Sequence, residues 1–175
     1  MNTTEYQDPT KNSNGGMSLY CRNTVTKRNP KFELAKCRAP FGISLTDQNG
    51  VPVVGRKNME LSLDDPALLA FVQEWDRQNV QIAADNSTKW FGKKLSAQSL
   101  GDTLYRHSAQ PHKEGKYAPT LRVKIVPKDP TKTGKRDNST KIYIVVKGPD
   151  GKEKWRRGTM DEVTRNSQVL PIVEF

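Results

Sequence analysis

Thr120-Leu121-Arg122-Val123-Lys124-Ile125 sets apolar and charged side chains in unbroken alternation. Successive side chains of a strand point to opposite faces, so the hexapeptide reads as a strand that buries Leu121, Val123 and Ile125 and leaves Arg122 and Lys124 in water. Asn58-Met59-Glu60-Leu61-Ser62-Leu63 alternates in the same way, with Met59, Leu61 and Leu63 on one face. Phe32 to Cys37 and Phe41 to Leu45 are two further strand candidates, followed by the turn Asp47-Gln48-Asn49-Gly50, where Asn-Gly tolerates positive φ. On the other side lies a polar, basic loop from Pro127 to Thr140, carrying Lys128, Lys132, Lys135 and Arg136. Residues 141–147 form the next strand. Gly148-Pro149-Asp150-Gly151-Lys152 suits a type I turn plus a bulged glycine. That loop sets Gly148 opposite Lys152. Tyr143, Val145, Trp155 and Arg157 then share one face and Ile142, Ile144 and Val146 the other; a longer loop would flip Trp155.

Residues 66–84 carry the strongest helical pattern. Asp64-Asp65 offers a capping carboxylate and Pro66 suits the first turn. Leu68, Leu69, Val72, Trp75, Asn79 and Ile82 fall near helical spacing, with Asn79 the one polar member, so Trp75 reads as core. A shorter helix over 96–105, capped by Ser96, would bury Leu100 and Leu104. Residues 1–30, rich in Asn, Thr, Gly and Lys without period, read as a flexible arm. Val169 to Phe175 is as apolar as any strand, so the chain stops within what reads as core. It either packs inward there or is a piece of a longer protein, and the second is the expectation. The pattern is mainly β (α+β overall): an antiparallel sheet or small barrel over 31–175, decorated by helices.

Composition narrows the function. The chain has 175 residues, 34% of them hydrophobic, and a mean hydropathy of -0.79. No apolar run approaches the ~18 residues of a membrane helix. Met1 to Tyr6 shows no secretory leader, and Cys21 and Cys37 have no metal-site spacing, so an intracellular, reducing setting is expected. The net charge of +10 is unevenly placed. Residues 1–88 balance 10 basic against 10 acidic side chains, whereas residues 89–157 hold 18 against 6, a net of +12. One continuous basic stretch is the footprint of a polyanion partner.

Catalytic patterns are missing. There is no phosphate-binding glycine loop. His107 and His112 lie on a polar segment with only Asp102 and Glu114 nearby, and Asp64-Asp65 is better read as a helix cap than as a metal pair. Cys37 reads as a small buried residue, and the sequons at Asn2, Asn86 and Asn138 as polar loops. The expectation is a binding protein without metal or cofactor, not an enzyme.

Basic and aromatic residues interleave. Lys89-Trp90-Phe91-Gly92-Lys93-Lys94 is followed by Tyr105-Arg106, Lys116-Tyr117, Arg122 and Lys124, Lys141 and Tyr143, and Lys154-Trp155-Arg156-Arg157. Single-stranded nucleic acid asks for this mixture: its unpaired bases stack on flat rings and its phosphates need cations. Lys89, Trp90, Phe91, Lys93, Lys94, Tyr105, Arg106, Lys116, Tyr117, Arg122, Lys124, Lys141, Tyr143, Lys154, Trp155 and Arg157 are the candidate contacts.

The run Lys89 to Ser96, the pair Leu104-Tyr105 and the segment Tyr117 to Ile125, with Asn58 to Leu63 and the Trp75 helix before them, resemble the phage-type single-stranded DNA-binding proteins of large DNA viruses of algae and protists. The resemblance covers roughly residues 31–175. It implies an oligonucleotide-binding (OB) barrel with a helical insertion, coating single-stranded DNA in replication and recombination within a viral replication compartment, nuclear or cytoplasmic. Replication proteins and further copies of the chain would be its protein partners. Trp90, Phe91, Lys93, Lys94, Arg122 and Lys124 match the family positions. The family's acidic tail has no counterpart here beyond Glu174 and Phe175. Two other readings suit the same residues: an RNA-binding module, and a basic structural or virion protein whose aromatics are core.

Overall fold

The alternation at the two anchor segments becomes a paired ladder in the computed structural model, which describes residues 4–13, 15–46, 49, 51–52, 54–55, 57–128 and 139–174. In chain order the strands are β1 (Thr4–Tyr6), β2 (Thr10–Lys11), β3 (Met17–Ser18), β4 (Cys21–Asn23), β5 (Lys31–Glu33), β6 (Cys37–Ala39) and β7 (Lys57–Ser62). Three helices follow, α1 (Pro66–Asp85), α2 (Ser87–Phe91) and α3 (Ala97–Thr103). Then come β8 (Ala109–Gln110), β9 (Thr120–Ile125), β10 (Tyr143–Lys147), β11 (Glu153–Arg157), β12 (Ser167–Val169) and β13 (Ile172–Glu174).

The result is mixed α and β, with strands in small antiparallel sheets. Among the described residues the sheets have two or three strands and do not close into a barrel. The chain divides into two compact units. One holds Met1–Ala35, Asp65–Ala109 and Leu170–Phe175; the other holds Lys36–Asp64 and Gln110–Val169.

In the first unit, residues 4–23 form a two-part hairpin rather than a flexible arm. β1 pairs with β4 and β2 with β3. Polar composition did not prevent this, because the turns and anchors are built from polar groups. The Asn23 side chain accepts from the Val25 and Thr26 amides at 2.9 Å each, and Tyr6 donates to Asn79 Oδ1 at 2.5 Å. Helix α1 starts as expected. Asp65 caps it by accepting from the Ala67 amide, with Pro66 in the first turn. Its buried line is Leu68, Val72, Asp76 and Val80. Trp75 is half-buried and meets Phe32 edge-on at 4.9 Å. Ser96 caps α3 and Leu100 is buried, but the helix stops at Thr103, so Leu104 stands 65% exposed rather than packed. β13 pairs with β5.

In the second unit, β7 and β9 pair along their whole length, Met59 facing Val123 and Leu61 facing Leu121. Met59, Leu61, Leu63, Leu121, Val123 and Ile125 are all buried, as the alternation required. The expected strand over 32–37 is split. β5 ends at Glu33, and Cys37 opens β6, which pairs with β12. Cys37 is buried, and desolvation, with Asp64 beside it, pushes its thiol up to about 11. Thiolate is therefore scarce at neutral pH, and Cys37 is expected to resist alkylation in the native protein; labelling at pH 8 as fast as in urea would overturn this.

Phe41 to Leu45 makes one bridge, Ile43 to Met59, instead of a strand. Just before it, Gly42 donates its amide to the Ala39 carbonyl and sits at φ 66. A Cβ on Gly42 would lie 2.5 Å from the Val163 carbonyl oxygen. Gly42→Ala is therefore expected to cost ~1–3 kcal/mol, read as a lower urea midpoint. All of the Asp47–Gly50 turn except Asn49, and most of the 127–140 loop, lie outside the described residues.

Candidate nucleic-acid interface

The β10–β11 hairpin carries the most exposed ring surface in the second unit. Gly151 at φ 74 closes the turn, and Gly148 donates to the Lys152 carbonyl. Val145 faces Trp155 and Tyr143 faces Arg157, the register of the shorter of the two loops the sequence left open. On one face Tyr143 is 57% exposed, Val145 42% and Trp155 65%. The Arg157 guanidinium carbon lies 5.3 Å from the Tyr143 ring centre. Lys147 is exposed on the same face, and Lys141 just before it donates to Ser139 Oγ at 3.0 Å. On the reverse face Ile142, Ile144 and Val146 are half-buried. Lys154 and Arg156 alternate onto that reverse side. Arg156 is tied to Glu162, whose carboxyl this pairing and the Thr159 amide hold down to about 2. Lys154 stands 3.9 Å from Asp150.

The outer face of β7–β9 is more balanced than the sequence suggested. Arg122 donates to Glu60 Oε1 at 2.9 Å, and the Thr120 hydroxyl reaches Glu60 Oε2 at 3.3 Å. Asn58 faces Lys124, which is exposed. Tyr117 is 69% exposed with its ring edge-on to His112, and Lys116 pairs with Glu114 at 2.7 Å. Arg122 thus spends part of its charge on Glu60. Glu60→Gln is expected to raise affinity for an oligothymidine several-fold and to steepen the salt dependence by ~0.7, one further phosphate neutralised, in a titration from low to moderate salt.

The first unit treats its candidates differently. Trp90 and Phe91 lie on helix α2, closed by Gly92 at φ 72, not on an extended segment. Their rings meet edge-on at 6.5 Å and both are half-buried. Asp8 draws in Lys89 Nζ at 2.6 Å and the Trp90 indole nitrogen at 3.1 Å. Those two hydrogen bonds hold the Asp8 carboxyl below its usual range. Lys93, Lys94 and Arg106 are exposed.

The Tyr105 hydroxyl is tied into the fold. Its hydroxyl donates to Asp76 Oδ1 at 2.8 Å and accepts from Asn79 Nδ2 at 3.1 Å. Burial, with Asp76 beside it, raises the Tyr105 hydroxyl well above the usual tyrosine range. Asp76 also accepts the Ser108 amide at 2.7 Å, with His107 Nδ1 at 3.8 Å. Asn79, the odd polar member of the expected helical stripe, links Tyr6 to this network.

Asp8, Phe41, Glu60 and Asp76 escaped the sequence reading. Among the described residues no group of three His, Cys, Asp or Glu is placed to hold a metal, and no helix is long and apolar enough to cross a membrane. No family model matches the chain, and no curated protein or solved structure is significantly similar to it.

Proposed function

We propose that this chain binds single-stranded nucleic acid, DNA foremost, by stacking bases on the β10–β11 face and neutralising phosphates with the cations around it. One observation carries the reading. Tyr143 and Trp155 stand more than half exposed on one hairpin face, beside Arg157. Two rings exposed on one face beside a guanidinium make a stacking platform, and each base–ring stack is worth ~1–3 kcal/mol. The net +12 of residues 89–157 supports the same partner. Stacking does not distinguish bases, so the binding is broadly sequence-tolerant. In this reading the β7–β9 and β10–β11 pairs serve as an OB-like floor. The protein coats single strands in viral replication and recombination, as an intracellular binding protein and not an enzyme.

Intrinsic tryptophan fluorescence tests it. Titration with an oligothymidine should quench emission, and Trp155→Phe should remove most of that quenching. A duplex of equal charge should bind weakly, with a salt slope and no quench. Equal affinity for duplex and single strand, without quenching, would sink the reading. A matched RNA strand run beside the DNA separates DNA preference from general single-strand binding, because stacking alone ignores the 2′-hydroxyl.

A further inference from the structure

A second feature of the β7–β9 face goes beyond stacking. A cleft of about 150 Å³ opens between Phe41, Gly42, Ser44, Asn58, Glu60 and Arg122. It is half the ~300 Å³ at which small-molecule pockets begin, so it suits the edge of one flat ring system and not a whole nucleotide. A larger hollow of about 480 Å³, along Arg77, Gln78, Gln81 and Ile82 of α1, has no aromatic wall.

Phe41 is the one aromatic residue lining the small cleft. Its ring is 62% exposed, yet the backbone beneath it is pinned. Ala39 is fully buried, Gly42 closes the turn on the Ala39 carbonyl, and the Ile43 amide donates to the Val163 carbonyl at 3.0 Å. A ring held outward by a fixed turn loses little freedom when a ligand covers it. The Glu60–Arg122 pair, at 2.9 Å, lines the same cleft. Glu60 spends one lone pair on Arg122 and one on Thr120, and a carboxylate has about four. Its side chain is 26% exposed, so the remaining acceptor sites are reachable.

We propose that this cleft is a base-reading subsite for guanine, resting on the single-strand reading above. The Watson–Crick edge of guanine offers two adjacent donors, N2–H and N1–H, then the O6 acceptor. A carboxylate beside a guanidinium offers two acceptors, then a donor. Thymine presents one donor flanked by acceptors, and adenine one donor beside an acceptor that a carboxylate repels. Cytosine uses only one carboxylate oxygen. The base would lie against Phe41 with its edge on Glu60 and Arg122. The coat is then sequence-tolerant along most of its track and selective at one position.

The experiment uses the full chain and oligothymidine strands carrying one central dG, dC, dA or deoxyinosine, the last being guanine without its N2 amine. Affinity relative to plain oligothymidine is the readout. The dG strand should bind about tenfold tighter, the discrimination of one good bidentate contact, and deoxyinosine should lose most of that gain. In Glu60→Gln, whose amide repels N2–H, and in Phe41→Ala the ratio should fall to about one. Thermal melts should show both variants folded, since Phe41 is largely exposed and glutamine keeps the shape and a carbonyl acceptor of Glu60. Tight oligothymidine binding with no gain for dG overturns the subsite and leaves the single-strand reading intact. No single-strand binding at all overturns both. A dG preference that survives both variants, or a dC strand that equals dG, overturns the assignment to this cleft.

Discussion

Replacing Tyr143 and Trp155 together by alanine is expected to weaken oligothymidine binding by at least ~30-fold. Each ring contributes ~1–3 kcal/mol of stacking, and about 1.4 kcal/mol is tenfold in affinity. The exposures of 57% and 65% mean that neither ring is core, so the loss of their two cross-strand pairs should cost stability no more than ~2 kcal/mol and leave the protein folded. The pairing of the two readouts matters. A virion or structural protein with these rings as packing would unfold in the double variant. A coat protein would stay folded and let go of its strand. Fluorescence anisotropy of a labelled oligothymidine measures the first quantity and urea unfolding the second. Unchanged affinity in a folded double variant would remove the hairpin from the binding surface.

Asp76→Ala should produce the largest loss of stability, about 3–5 kcal/mol. Asp76 is 2% exposed and holds the Tyr105 hydroxyl and the Ser108 amide by short hydrogen bonds. Hydrogen bonds to a charged group are worth ~1.5–3 kcal/mol each, and the alanine removes both while stranding their donors. Tyr105→Phe should cost ~1–3 kcal/mol through the same network. It should leave oligothymidine affinity within twofold, because Tyr105 faces Asp76 and Asn79. Urea midpoints with an unchanged slope are the measurement. A Tyr105→Phe protein of parental stability that had lost affinity would return Tyr105 to the binding surface.

These two results rest on different depths of legibility. The β7–β9 ladder was plain in the sequence because period-two alternation has few other solutions. The β10–β11 register was only half legible: the Pro-Asp-Gly turn favoured a three-residue loop, but a loop one residue longer would have flipped Trp155, and the observed pairing decides between the two. Helix α1 announced itself through its cap and stripe. The N-terminal hairpin did not, since Asn and Thr lower strand signal and its anchors, Tyr6 on Asn79 and Asp8 on Lys89, are long-range. Helix α2 spans five residues, too few for a period. Asp76 was hidden because a carboxylate on a helix reads as solvent face until its partners, about 30 residues on in the chain, are in place. The charge reading counted cations correctly but could not see Glu60 beside Arg122 or Asp8 beside Lys89, and those pairs decide which cations are free for phosphate.

The Arg157 guanidinium lies over the Tyr143 ring. In the proposed complex a base would stack on the ring's other side, leaving the tyrosine sandwiched between a cation and a base. The same arginine would then serve twice, steadying the ring before the strand arrives and drawing in a phosphate once it has.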